Sequence, residues 1–518
     1  MQAVTKKKTA TPTDSSRTAR AISLPKGVGT IASSSDGIAL VVGLENIIHA
    51  GAVTVQSLTN DGQTVETAGL IYRSIQGVAW VMLFGDDQSV RAGDPVVMAS
   101  TGTRTNVGIE TIGRVIDSLG SPLDGMKKPA GKSMIVDTSL VPGVVDRQSV
   151  CEPLLTGITL IDSVTPIGRG QRQLFIGDKG TGKTAAAIDA ITNQRNNHLT
   201  NPRDIVYCIY VSIGQRMALT KAILGRLRNR GCMTYTTIVS ATASAPAAMQ
   251  WLSPYTGCAI GEFYRNQGRH ALVIYDDLTQ HAIAHRQVTI LGRGSTGRDA
   301  YATDVFYQHS RLLERAAKLN ATNYSGSLTA IPVIEVQEND ISAFIPTNVI
   351  SITDGQTYFD SRLAVRNVWP AVNVNLSVSR VGTAAQTKLM KRLTSTLRLS
   401  LARFRTMEHM VSQMSELEDD MQAFLKRGLS TVDIVKQNWN SAVSAETGAT
   451  YAYLATRGFL DLLNAKQVQT LRHFVRLFFA MPSMNLILSA VVTKNGISDA
   501  FLKLGSLVPW LSVKRYKI

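Results

Sequence analysis

The run Gln171 to Thr184, QRQLFIGDKGTGKT, limits what this chain can fold into more than any other stretch. Leu174 to Ile176 close an apolar stretch that reads as a buried strand, Gly177 to Thr184 fits G-x-x-x-x-G-K-[ST], and the helix-forming AAAIDAITNQ follows. A chance glycine-rich turn would lack both flanks, so this is a phosphate-binding loop. Its glycines let successive N–H groups wrap an anion with no Cβ in the way, and the positive end of the next helix points at the same place. The expected contact set is Gly177, Asp178, Lys179, Gly180, Thr181, Gly182, Lys183 and Thr184. Lys183 is placed to reach the terminal phosphates and the Thr184 hydroxyl to ligate Mg²⁺.

The chain is 518 residues long with 44% apolar side chains, enough for about three domains with ordinary cores. Residues 29–103 hold short alternating segments (GIALVVGL, AGAVTVQSL, AGLIYRSI, GVAWVMLFG) broken by Asp, Gly and Asn turns, the pattern of a small β-barrel. Over residues 104–383 apolar β-branched runs (IVYCIYVSIG, YTTIVSATAS, ALVIYDDL, SLTAIPVIEV) alternate with helical stretches, as in a parallel sheet with helices on both faces. Residues 384–518 are helical in character. The fold class is therefore a P-loop α/β core between an N-terminal barrel and a C-terminal helical domain.

The ends and the charge say less. Residues 1–28 are rich in Lys, Arg, Thr and Ser with Asp14 as the single acid; they fit an organelle transit peptide or its remnant, and equally a basic tail. The apolar run Leu477 to Thr493 is interrupted by Pro482, Ser483, Asn485 and Ser489, which suits a buried helix pair better than a membrane span. The net charge of +16 is spread along the sequence apart from Lys6 to Lys8, so it selects no partner by itself. Cys151, Cys208, Cys232 and Cys258 share no C-x-x-C spacing, which argues against a zinc knuckle or disulfide framework and leaves them as small core residues in a reducing compartment.

A second chemical landmark is ALVIYDDL, Ala271 to Leu278, an apolar strand ending in a carboxylate. After a phosphate loop in the same sheet, Asp276 is the residue expected to hold the Mg²⁺ hydration shell. Two other patterns mislead. Gly292, Gly294 and Gly297 spell G-x-G-x-x-G with no strand before them, so they form a loop and not a dinucleotide fingerprint. His281 and His285 stand four apart as zinc ligands can, but no Glu lies between them, and satisfied structural histidines are expected.

The ordered set IDSVTPIGRGQRQLFIGDKGTGKT, VYCIYVSIGQ, TIVSATAS, ALVIYDDL, SRLLERAAKLN, GSLTAIPVIEVQENDISAFIPTNVISITDGQ and NLSVSRVGTAAQ resembles the alpha-type members of the F-type ATP synthase family. The resemblance runs from about Val28 to the end. It implies a non-catalytic subunit that binds ATP or ADP with Mg²⁺, alternates with beta subunits in a hexamer, and completes their catalytic sites for ATP synthesis coupled to proton transport. Central-stalk and peripheral-stalk subunits are implied as further partners, nucleic acid is not, and membrane association comes only through the complex, on the matrix side of the mitochondrial inner membrane. In this family a hydrolysing subunit carries Glu where Gln215 stands here, and an amide cannot take the proton of the attacking water. Arg380, in SVSRVGTAAQ, corresponds to the arginine offered to the neighbouring beta subunit, with Ser377 and Ser379 shaping that interface.

Departures from the family pattern fall around the nucleotide. Gly180 replaces the usual Gln, Ala364 and Trp369 stand at the aromatic and arginine positions of the adenine pocket, and of two C-terminal glutamines only Gln437 is present, with Trp439 at the other place. Trp369 or Trp439 can stack a base, or be core or interface residues. Two alternatives to the alpha-type reading follow. A homohexameric nucleic-acid translocase shares a barrel ahead of an ATPase core, yet it needs its own carboxylate at Gln215 and exposed aromatics among basic barrel residues, which are lacking. A structural relative that no longer binds nucleotide is motivated by Gly180, Ala364 and Trp439.

Overall fold

The computed structural model describes residues 28–480 apart from short internal breaks at 45–46, 48–50, 59–63, 86–88, 100–101, 137–140, 201–203, 387, 412–418 and 462. The basic N-terminal segment and the later part of the apolar run Leu477 to Thr493 lie outside the described residues.

Six strands, Val28–Ser35, Ile38–Val42, Ala52–Leu58, Thr64–Ile75, Val78–Phe84 and Pro95–Met98, close into an antiparallel barrel. Alternation drives the closure: Ile31, Val41, Val55, Ile71 and Val81 form one buried core. The outward set is not all solvated. Ile38, Leu70, Met82 and Phe84 belong to the core of the α/β domain, so the barrel is welded to it by apolar packing.

The α/β domain is built on an eight-stranded sheet in the order Val378–Ser379, Gly355–Phe359, Leu174–Asp178, Ser327–Val336, His270–Asp276, Val206–Gln215, Thr236–Thr242, Val115–Ile116. Every pair is parallel except the short edge strand Val378–Ser379. The central strands read as unbroken apolar runs because both faces are covered. Helices Ala247–Asn266 and Leu278–Leu291 pack one face together with the barrel, while Lys183–Thr200 and Met217–Asn229 pack the other and share a core with the C-terminal helices.

Those C-terminal helices, Lys388–Val411, Asp419–Val435, Ala445–Thr456 and Ala465–Ala480, bury Leu397, Phe404, Val432 and Leu471 against Ile161 and Val374. The run that reads as a helix pair begins inside the last of them. Among the described residues no helix is long and apolar enough to cross a membrane. Cys208, Cys232 and Cys258 are buried as expected, whereas Cys151 is exposed; it sits in the loop just ahead of the two-residue strand Pro153–Leu154 and not in the core.

Candidate functional site

The strand Leu174–Asp178 lies between Ser327–Val336 and Gly355–Phe359, connected to neither directly in sequence, and the loop from Gly177 leaves its carboxyl end there. That is where ligands bind in an open parallel sheet. The backbone requires its glycines: a Cβ on Gly177 would collide with the Phe359 carbonyl, and Gly182 sits at φ +95°, where side chains are strained. Thr181 Oγ1 donates to the Asp178 carbonyl (2.7 Å), and the Asp178 carboxylate accepts from the Asn339 amide (2.8 Å), so the loop is braced from both sides.

Lys183, 7% exposed, donates from Nζ to the carbonyls of Gly177 (2.7 Å) and Asp178 (2.6 Å). Burial draws its pKa below the usual lysine range, and the carboxylates of Glu335, Asp277 and Asp276 oppose that pull. A cation held over the loop by main-chain carbonyls is a ready partner for phosphate oxygens.

Thr184 Oγ1 and the Tyr210 hydroxyl both donate to Asp276 Oδ2, at 2.8 and 2.6 Å. Burial raises the Asp276 pKa while these two hydroxyls hold it down. The expected pair Thr184 and Asp276 is therefore brought together, and its hard oxygens fit a Mg²⁺ shell. Next to it the Asp277 carboxylate caps helix Leu278–Leu291; burial, then the adjacent Asp276 charge, pushes its pKa up to about 7. Sequence reading missed Glu335, which pairs in register with Gly177 and feels the Lys183 charge. The signal was available: a carboxylate near the carboxyl end of the strand beside the loop.

Gln215 ends the strand Val206–Gln215 beyond an irregularity at Gly214, whose φ is +62°. Ser212 is level with Asp276, so Gln215 lies further out toward the same end of the sheet as the loop. An amide therefore stands on the strand next to the Asp276 strand, with no ionisable side chain at that position.

Toward the base the arrangement differs from expectation. Gln437 is 9% exposed and its side chain is spent: Nε2 donates to the carbonyls of Gly157 (2.6 Å) and Ser441 (2.8 Å), and Oε1 accepts from the Thr159 amide (3.1 Å). It fastens the helical domain to helix Thr159–Val164. Trp439 and Trp369 meet edge to face, with ring centroids 5.1 Å apart and planes at 87°.

Arg380 is exposed at the end of the edge strand, its amide donating to the Asp354 carbonyl (2.8 Å). Ser377 is a correction: it is fully buried, donates to the Asn373 carbonyl (2.6 Å) and accepts from the Tyr358 amide (2.9 Å), so it holds the loop from within and cannot touch a neighbour. Ser379 likewise turns inward to the Pro166 carbonyl (3.0 Å). The two misleading patterns resolve as structure. Gly292 to Gly297 form a loop after helix Leu278–Leu291. His281 is buried with Nδ1 against His309 Nε2 (3.1 Å), and His285 Nε2 meets Asp304 Oδ1 (2.8 Å). Among the described residues no cluster of three or more His, Cys, Asp or Glu is arranged to hold a metal ion.

A braced phosphate loop at the switch point of a parallel sheet, with a Thr and Asp pair beside it, defines a P-loop nucleotide-binding protein. Residues 157–379 match the nucleotide-binding domain of the ATP synthase alpha/beta family, and residues 386–503 match the C-terminal domain of the ATP synthase alpha/beta chain. Similarity also extends to "ATP synthase subunit alpha" of Ehrlichia ruminantium, strains Gardel and Welgevonden, each 42% identical over 484 residues covering 93% of this chain and 94% of the relative. The chain belongs to the ATP synthase alpha/beta family and is of the alpha type. It is a subunit of the enzyme complex that makes ATP, and it has that family's nucleotide-binding domain.

Proposed function

We propose that this protein is a non-catalytic subunit that alternates with beta subunits around a central stalk and lends Arg380 to their catalytic sites. Gln215 carries the proposal: where hydrolysis needs a carboxylate to orient and deprotonate water, an amide stands. The exposed Arg380 supports it, since a planar guanidinium at the surface can bond two phosphate oxygens of a neighbour's ligand and neutralise the charge that develops in transfer.

Within the subunit's own site, the loop amides and Lys183 hold phosphate and Thr184 with Asp276 holds Mg²⁺, which neutralises phosphate charge when bound. With Gln215 in place that site binds and stiffens the subunit instead of turning over. The basic residues 1–28 support a mitochondrial setting, with the complex at the matrix face of the inner membrane, although the similar relatives are bacterial. A peripheral stalk completes the proposed partners.

Replacing Arg380 tests this reading. Arg380→Ala in the assembled complex is expected to cut turnover by about 10³ to 10⁵, the range of arginine-finger losses, with subunit stoichiometry unchanged. Near-normal turnover from an intact complex would remove Arg380 from the role.

A further inference from the structure

Beside the phosphate loop two tryptophans stand close to Gly182. A Cβ placed on Gly182 would lie 3.3 Å from the Trp369 ring and 3.8 Å from Trp439 Nε1, so both indoles stand close to the last turn of the loop. The cavity they share with Thr181, Ala186 and Asp189 measures about 20 Å³. With the indoles as they stand, that is room for about one water molecule.

Trp369 is held in place, whereas Trp439 is 47% exposed. Trp369 Nε1 donates to Asn367 Oδ1 (2.8 Å), and the Trp369 carbonyl accepts from the Gln437 amide (2.8 Å), which ties the segment to the helical domain. The edge-to-face packing of the two indoles leaves no parallel slot between them. Gln437, the one polar side chain expected to read a base, has its donors and acceptor occupied internally. Asp189 closes the floor with a carboxylate that is 4% exposed and whose Oδ1 has no partner.

We infer that this site takes a magnesium-bound polyphosphate without seating a base, because Trp369 and Trp439 occupy the base subsite. The inference rests on the proposed phosphate-holding role of the loop and names the ligand class of that site: triphosphates irrespective of base, including inorganic tripolyphosphate.

The test is calorimetric titration of the purified full-length protein with Mg-ATP, Mg-GTP and Mg-tripolyphosphate, with tryptophan fluorescence read in parallel. Expected are three affinities within about threefold of one another, and a gain of about tenfold for ATP alone in Trp369→Ala/Trp439→Ala, the order of one base contact. If that double variant is not folded by circular dichroism, Trp439→Gln is used and the same gain is expected. ATP binding to the wild type about tenfold or more tighter than tripolyphosphate, with quenching that tripolyphosphate does not cause, would overturn the inference and leave the phosphate site standing. Failure of all three ligands to bind, or binding untouched by Lys183→Gln, would overturn both.

Discussion

The two sides of Gly182 are built by different means. On one side, Gly177 to Thr184 with Asp276 form a polar cradle whose geometry comes from two strands of one sheet, with Asp178, Thr181, Lys183, Thr184 and Asp276 braced by short hydrogen bonds. On the other, Trp369 and Trp439 come from separate domains and fill the space with apolar surface. In the proposed reading the phosphate side is the one that takes a ligand, and the indoles stand where a base would lie. A nucleotide site is thus two separable devices, and only the first is needed to hold a charged anchor at a subunit's core.

The largest effect is expected at Lys183. Lys183→Gln should weaken tripolyphosphate binding by about 10² while keeping a donor for the loop carbonyls, since a charged hydrogen bond contributes roughly 1.5–3 kcal/mol; calorimetry reads it. Asp276→Asn should be milder. It keeps an acceptor for Thr184 and Tyr210 but removes the charge facing Mg²⁺, so the ratio of affinities with and without Mg²⁺ should shrink by about tenfold, of the order of one charge-assisted contact.

The smallest effect sharpens the base side. Burial pushes the Asp189 pKa up to about 6, above its unfolded value, so the folded protein binds an extra proton between those limits and loses stability as pH rises through about 6. Asp189→Asn removes that slope. The variant should melt no higher than the wild type at pH 5 and slightly higher at pH 8, by about 1 kcal/mol after the cost of an unpaired buried amide is subtracted. Melting curves at both pH values check the sign.

The phosphate side was legible in sequence because its parts are local or lie at strand ends: the glycine loop, the following helix, and the carboxylate of ALVIYDDL. The barrel and the parallel sheet were legible for the same reason, since period-two alternation and unbroken apolar runs report burial directly. The base side was not. Whether Trp369 and Trp439 stack a base or fill its place depends on a contact between segments of different domains, which no spacing encodes. Gln437 and Ser377 show the same limit: their residue types suited a ligand and an interface, but tertiary partners consumed them. His281 could be read as structural, yet its partner His309 lies on another helix and was invisible to a helical period. Glu335 carried a signal of position alone, a single acid near the carboxyl end of the strand beside the loop, with no motif around it to draw attention.

Gln215 decides whether the subunit is non-catalytic, and steady-state ATP turnover by the purified full-length protein alone, at saturating Mg-ATP and with its oligomeric state verified, tests that role most directly. The prediction is a folded protein with no measurable turnover. Turnover of about 1 s⁻¹ or faster, the lower end of ordinary enzyme rates, would mean that the subunit supplies its own base and is not the non-catalytic partner described here.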